Sequence, residues 1–246
     1  LVTVSGQRGH RDVGDVIDVD ERLAHVACGQ RQRAMLDAWL EVAFAEVLVE
    51  HKVEAVIHFA AFKAVGESVE QPLKYFDNNI GGLLNLIKAM ARASLNLMVF
   101  SSSCTVYGDT KESPITEDHP RAKAISPYGT TKIISEEILE DLSERGHLKT
   151  ISLRYFNPVG AHPSGKIGEL PLGVPQNLVP FITQTAAGLR EELQVFGDDY
   201  PTPDGSCIRD YIHVVDLAEA HVIALGRLLE QKNTANFEVF NVGTGE

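Results

Sequence analysis

Tyr128 and Lys132 stand four residues apart in the stretch Ser126-Pro127-Tyr128-Gly129-Thr130-Thr131-Lys132. On a helix that spacing puts both side chains on one face, a single turn apart. An ammonium so placed favours the phenolate and lowers a tyrosine pKa from its reference of about 10 toward working pH. A tyrosine treated this way can serve as a general base. The helix is signalled by Pro127, at a first-turn position where its missing N–H costs no bond, and by Ile133, Ile134, Ile138, Leu139 and Leu142 at helical spacing. Tyr-x-x-x-Lys also occurs on ordinary solvated helix faces, so the pair needs support from elsewhere in the chain. Upstream, the apolar run Leu97-Met98-Val99-Phe100 leads into Ser101-Ser102-Ser103. A serine after a strand commonly caps the turn that follows.

The elements that must position these residues alternate. Apolar residues from Ala34 to Glu50 fall at helical spacing, and Val53 to Phe59 reads as a buried strand ending in the small pair Ala60-Ala61. Residues 70–93 form a second helical segment that contains Asp77-Asn78-Asn79, which read as solvated helix polarity. A strand at 97–100, the Tyr128 helix and a strand at 150–155 follow. Such alternation predicts an α/β fold with a parallel sheet covered on both faces, and ligands at the carboxyl ends of its strands. After Asn157 the pattern turns irregular, rich in Gly and Pro. It then gives a helix over 178–189, a further helix from Asp216 to about Leu229, and a strand at 237–240. A small lobe inserted at the ligand edge of the sheet accounts for this. The expected domains are 1–156, and a lobe at 157–246 from which a segment of about 212–242 returns to the first.

Residues 1 to about 45 fit the pattern poorly. Leu1 to Val4 reads as a short strand, but Gly6, Gly9 and Gly14 match no dinucleotide fingerprint, since Asp12 holds the third place and Asp15 adds negative charge. The 246 residues, 44% of them hydrophobic, suffice for one sizeable core or for a larger domain with a small lobe. A net charge of -12 argues against generic nucleic-acid or anionic-membrane binding. Cys28, Cys104 and Cys207 are scattered and odd in number, giving neither a disulfide framework nor metal-ligand spacing; reduced thiols in a cytoplasmic protein are the plain expectation. No signal peptide or membrane-spanning run is visible, and both ends read as cut, with Leu1 at the start and a turn signal before Glu246.

Six stretches, taken together, carry a resemblance. They are His58-Phe-Ala-Ala-Phe-Lys-Ala-Val-Gly-Glu-Ser68, Tyr75-Phe-Asp-Asn-Asn79, Phe100-Ser-Ser-Ser-Cys-Thr-Val-Tyr-Gly108, Ser126-Pro-Tyr-Gly129, Arg154-Tyr-Phe-Asn-Pro-Val-Gly-Ala-His162 and Arg209-Asp-Tyr-Ile-His-Val214. In order and rough spacing, residues 46–246 resemble the extended short-chain dehydrogenases that act on nucleotide sugars, and within them the UDP-glucose 4-epimerases. The resemblance implies a Rossmann-like, doubly wound sheet with a smaller, truncated substrate lobe, a tightly held NAD, and a homodimer. It implies that Tyr128 is the catalytic base, that Lys132 assists it and bonds the nicotinamide ribose, and that Ser103 bonds the sugar 4-hydroxyl. Phe59, Ala60, Ala61, Phe62 and Lys63 would line the NAD site with Asn78 and Phe156 nearby. Asn157, Asn177 and Arg209 would hold UDP, with Phe196 packed by the uracil. An arginine suits a diphosphate because its planar fork meets two oxygens at once, although Arg209 beside Asp210 also reads as a surface ion pair.

Two other readings compete. A nucleotide-sugar dehydratase or reductase shares the fold, but a dehydratase resembling its family would carry an Asp-Glu pair directly after Ser103, where this chain has Cys104 and Thr105. The second is a non-catalytic fragment or vestigial nucleotide-sugar binder, favoured by the broken glycine pattern. That pattern also leads us to expect weak NAD retention and little activity from these residues alone.

Overall fold

The computed structural model describes residues 2–4, 16–18, 41–110, 113–169, 171 and 173–245. The glycine-rich stretch 6–14, with Asp12 and Asp15, lies outside the described residues, as do Cys28 and positions 34–40 of the expected first helix. The chain divides into two packed units, one of Leu1–Arg154 with His221–Asn241, the other of Tyr155–Ala220 with Val242–Glu246.

The first unit is built on a sheet of six strands in the order β2-β1-β3-β4-β5-β8. These are β1 (Val2–Val4), β2 (Val16–Asp18), β3 (Ala55–His58), β4 (Leu97–Ser101), β5 (Lys149–Tyr155) and β8 (Phe237–Val242). Strands β3, β4 and β5 are parallel, with Ile57 opposite Val99 and Val99 opposite Ile151. Their residues are buried almost without a break, as expected of strands covered on both faces. The parallel run expected from the alternation is present, while at its β1 edge the sheet differs: β1 pairs antiparallel with both β2 and β3. Residues 5–15, which join β1 to β2, are too few for the crossover helix and flanking loops that a parallel connection requires.

Helices follow the strands. α1 covers 41–50 in the described residues. α2 (Val65–Glu70) and α3 (Pro72–Tyr75) precede a π-helical turn at Phe76–Gly81, which runs into α4 (Gly82–Arg92). The helical segment expected over 70–93 is therefore continuous over Pro72–Arg92, with a widened turn in the middle. Along it Tyr75, Asn79, Leu83, Leu86 and Met90 are all buried. A core of Ala45, Leu48, Val56, Leu83, Leu86, Met90, Met98, Phe100 and Leu139 joins α1, α4 and α5 to the sheet.

α5 (Pro127–Glu144) begins as its sequence implies: Ser126 is extended at φ -135 and ψ 156, its Oγ accepts from the Gly129 N–H at 3.2 Å, and Pro127 takes the first turn. Gly129 is required by close packing, since a Cβ there would lie 2.8 Å from the Ala124 Cβ. α7 (Val214–Leu229), whose residues from His221 onward belong to this unit, begins slightly ahead of the Asp216 expected.

In the second unit a two-stranded parallel sheet joins β6 (Asn157–Val159) to β7 (Tyr211–His213), a pairing the irregular sequence did not announce. α6 (Leu178–Ala186) stops short of Leu189 because Gly188 turns the chain left-handed at φ +74. Among the described residues no helix is long and apolar enough to cross a membrane.

Two stability predictions follow from this architecture. Leu139 is fully buried whereas Leu73 is 77% exposed. Leu139→Ala should cost about 2–5 kcal/mol in denaturant unfolding, and Leu73→Ala less than about 0.5 kcal/mol; similar costs for both would contradict the core described. Glu238 accepts from Arg227 Nε at 2.7 Å and Nη2 at 2.8 Å and from the Thr234 N–H. The Arg227 fork, outweighing burial, lowers its carboxyl from 4.5 to about 2. A depressed acid contributes stability above its unfolded value that is lost as pH falls through the folded one. Glu238→Gln should therefore flatten the loss of stability between pH 4.5 and about 2, as read from acid-titrated thermal unfolding. An unchanged slope would show that the pair carries no such linkage.

Candidate active site

Tyr128, Lys132 and Ser103 all lie in the first unit, and all are buried. Lys132 Nζ donates to the Ser101 carbonyl at 2.7 Å, lies 4.9 Å from the centroid of the Phe100 ring, and lies 5.9 Å from that of Tyr128. The helical spacing thus brings the ammonium to the tyrosine, and the end of β4 receives it. Burial pulls the Lys132 pKa down to about 8, against the opposing charge of Glu136. It remains mostly protonated at neutral pH, close to the point where it would begin to lose its charge.

Ser103 leaves β4 in extended geometry and caps the 3₁₀ turn Cys104–Tyr107, its Oγ accepting from the Thr105 N–H at 3.3 Å. The capping role read from sequence is therefore real. It leaves the hydroxyl hydrogen available to donate elsewhere, since an accepted bond does not use it.

His58 ends β3 and stacks on Phe100 with ring centroids 5.9 Å apart. Burial, helped by the nearby Lys132 charge, pushes its pKa down to about 3, so its ring is neutral. Its Nδ1 is buried with no hydrogen-bond partner. The loop that follows holds Phe59 and Phe62, 44% and 38% exposed, along with Ala60, Ala61 and Lys63.

That loop is held by a residue the sequence reading passed over. Asn79 Oδ1 accepts from the Phe62 N–H at 2.8 Å, and its Nδ2 donates to the Phe62 carbonyl at 3.1 Å and to Thr131 Oγ1 at 3.0 Å. Thr131 Oγ1 in turn donates to the Tyr128 carbonyl at 2.7 Å. Asn79 is buried, so the expectation of solvated polarity across 77–79 is corrected for this residue. Asn78 is exposed and donates to Asn79 Oδ1 at 3.0 Å. The helical spacing of Tyr75, Asn79 and Leu83 was the signal that could have found it.

Beneath the site lies a second group missed from sequence. Glu136, fully buried one turn beyond Lys132, faces Arg154 Nη2 at 2.7 Å and Nε at 3.0 Å, Ser102 Oγ at 2.6 Å and Ser152 Oγ at 2.8 Å. Burial opposes its charge, but these donors hold its carboxyl below the usual range. Arg154 Nη1 also donates to Tyr107 Oη at 2.9 Å, and Tyr107 Oη to Asn241 Oδ1 at 2.6 Å.

The remaining candidates belong to the second unit. Asn157 Nδ2 donates to the Asp210 carbonyl at 2.8 Å, and the Phe156 N–H donates to the Val242 carbonyl at 3.2 Å. Asn177 stands at the N-cap position of α6 with an extended backbone and no side-chain capping bond, and its Nδ2 donates to Glu169 Oε1 at 3.0 Å. Phe196 is 90% exposed. Arg209 is exposed and donates to the Ile208 carbonyl at 2.7 Å. It forms no ion pair with Asp210, whose carboxylate is occupied by the Thr244 and Gly245 N–H groups at 2.9 Å and 3.0 Å. The surface-pair reading of Arg209 is therefore set aside, and its guanidinium is left to face solvent.

Among the described residues no group of three or more His, Cys, Asp or Glu side chains is arranged to hold a metal.

The chain is similar to known proteins in sequence and in fold. A UDP-glucose 4-epimerase of Bacillus subtilis (strain 168) is 54% identical over 200 residues, spanning 81% of this chain and 58% of that relative. A crystal structure of UDP-glucose-4-epimerase from Stenotrophomonas maltophila, with bound NAD and formylated UDP-arabinopyranose, superposes with a TM-score of 0.79 at 53% identity, covering 83% of this chain and 60% of that one. The Bifidobacterium longum enzyme in complex with NAD+ and UDP gives a TM-score of 0.77 at 47% identity over 84% of this chain and 61% of that one. The chain thus spans a little under three fifths of the curated relative's length. The fold is the Rossmann-like α/β fold of these neighbours. The family model for NAD dependent epimerases and dehydratases matches residues 9–243, and the chain belongs to that family.

Proposed function

We propose that the chain acts as a UDP-glucose 4-epimerase, interconverting UDP-glucose and UDP-galactose with NAD as a tightly held prosthetic group. The observation that carries this reading is the buried Lys132 ammonium, seated on the Ser101 carbonyl beside the Tyr128 ring, with Ser103 next along the chain. The first unit would hold NAD and the second the nucleotide sugar. The homodimer and the cytoplasmic location come with the family resemblance.

The residues present fit the nicotinamide end of NAD. The orphaned His58 Nδ1 closes β3, and the loop of Phe59, Ala60, Ala61, Phe62 and Lys63, with Asn78, follows it. Ser103, Tyr128 and Lys132 would complete that end, and the family resemblance adds Phe156. The adenosine end fits less well. β1 is antiparallel to β3, with Val4 opposite Ala55. The chain therefore leaves β1 beside the amino end of the parallel strands, whereas a pyrophosphate rests on the turn at their carboxyl ends.

NAD, when bound, supplies acceptance and return of the hydride at sugar C4. The chain's own residues do the rest. Tyr128 as phenolate takes the 4-hydroxyl proton and later returns it, and Lys132 keeps a positive charge beside that oxygen. Ser103 bonds the same hydroxyl. Arg209, Asn157 and Asn177 would anchor the diphosphate and uridine, with Phe196 stacked on the uracil, so that the sugar turns while its handle stays fixed. Elimination of water across C5 and C6 lacks its acid and base, because Cys104 and Thr105 occupy those places.

Three outcomes test this. With NAD added to saturation, Tyr128→Phe should reduce turnover of UDP-galactose by the ~10²–10⁴ expected of a lost general base while leaving UDP binding intact. A rate within a few fold of the unaltered chain would remove Tyr128 from the mechanism. Mass spectrometry of the products should show only the 4-epimer, and a 4-keto-6-deoxy sugar would establish a dehydratase instead. The chain should also purify with well under one NAD per polypeptide, since losing two or three bonds to a charged pyrophosphate, at about 1.5–3 kcal/mol each, weakens binding by several powers of ten. Stoichiometric NAD in the purified chain would show that residues 6–14 cradle the pyrophosphate after all.

A further inference from the structure

Tyr128, Lys132 and Glu136 follow one another at four-residue steps along α5, and all three are buried. Glu136 is too far along the helix to touch what Tyr128 touches, yet its carboxylate collects donors from three other segments. Arg154 and Ser152 reach it from β5, Arg121 from the loop before α5 at 3.5 Å, and Ser102 from the end of β4 at 2.6 Å. Ser102 is the member of this set that bears on the site. It stands between Ser101, whose carbonyl receives the Lys132 ammonium, and Ser103, whose hydroxyl opens the next turn. Its own N–H is held by the Leu153 carbonyl at 2.9 Å and the Phe100 carbonyl at 3.1 Å.

We propose that Glu136 is a positioning residue: through Ser102 it fixes the Ser101 carbonyl on which the Lys132 ammonium rests, and with it the start of the Ser103 turn. The proposal rests on the reading of Tyr128 and Lys132 as base and activator. Glu136 suits the task because Arg154 grips it with two nitrogens of a planar fork, which locks the carboxylate in place. A side chain so pinned can hold the short Ser101–Ser103 segment against α5 in a way that a solvated acid could not.

Ser102 and Ser152 supply a matched comparison. Both are fully buried and both donate to Glu136 Oε1, but only Ser102 sits next to the carbonyl that Lys132 uses. The groups facing Lys132 are the neutral His58 from β3, Tyr128 and Glu136 on α5, and the Phe100 ring on β4. Beyond Glu136 stand the cations Arg154 and Arg121. None of these charges changes when a serine hydroxyl is removed, so a shift at Lys132 reports geometry.

The test follows Lys132 by NMR of the full chain with carbon-labelled lysine, the signal assigned by its loss in Lys132→Arg, through a pH titration. The unaltered chain should titrate near about 8. Ser102→Ala should lower that midpoint by about one unit, the scale of one loosened hydrogen bond to a charged group. Ser152→Ala should leave it in place. Ser102→Cys, which leaves every charge in place but offers Glu136 only a weak thiol donor, should lower the midpoint in the same direction, and decides the matter if Ser102→Ala does not fold. Equal shifts in the two alanine variants, or an unmoved midpoint in Ser102→Ala or Ser102→Cys, would overturn the proposal. The readout does not depend on turnover, so a chain that shows the expected shifts but releases a 4-keto-6-deoxy sugar instead of the 4-epimer would refute the epimerase reading and leave the positioning role standing.

Discussion

A buried ammonium is the constraint on which the site depends. Taking a lysine out of water favours its neutral form, and a neutral Lys132 would do nothing for Tyr128. The chain keeps the charge with weak but well-placed partners: one carbonyl, two aromatic faces and the field of a carboxylate one helical turn away. None of these is a direct ion pair. A carboxylate in contact would hold the proton more firmly, but would also compete with the phenolate for the same charge. The arrangement leaves Lys132 charged near neutrality and its field available to the tyrosine.

The same logic explains why the ion pair lies one layer down. Glu136 and Arg154 neutralise each other inside the unit, and removing either partner from such a pair typically costs about 3–5 kcal/mol because a buried charge is left alone. They sit where α5, β4 and β5 meet, and the serines at the strand ends complete their hydrogen bonds. Asn79 performs a comparable task on the other side. Its single amide satisfies both backbone groups of Phe62 and reaches Thr131, so the loop after β3 and the helix bearing Tyr128 share one anchor.

Much of this was legible in the sequence. The parallel strands β3, β4 and β5 announced themselves as continuous apolar runs, and α5 through its serine cap, its proline and its helical spacing. The candidates at 59–63 and 101–103 follow β3 and β4 at one edge of the sheet, because in a parallel sheet the carboxyl ends lie together. The Tyr128–Lys132 pairing followed from helix geometry alone. Less was legible where polar residues lie on buried faces: Asn79 was read as solvated and Glu136 was not singled out, since a side chain's type biases a guess toward exposure even when its spacing says otherwise.

What the sequence by itself determined was therefore local: which segments are helix or strand, how they begin, and which side chains share a face within one element. Those follow from short-range sterics, capping and periodicity. The tertiary structure alone decided which carbonyl receives Lys132, that Glu136 meets Arg154 and Ser102, and that β1 runs against β3. Each joins residues far apart in the chain, or a strand direction, and no local pattern encodes the distance between two elements once they pack. It is that packing, by burying Lys132 and Glu136 together, that turns a common helix spacing into a buried, charged arrangement beside Tyr128.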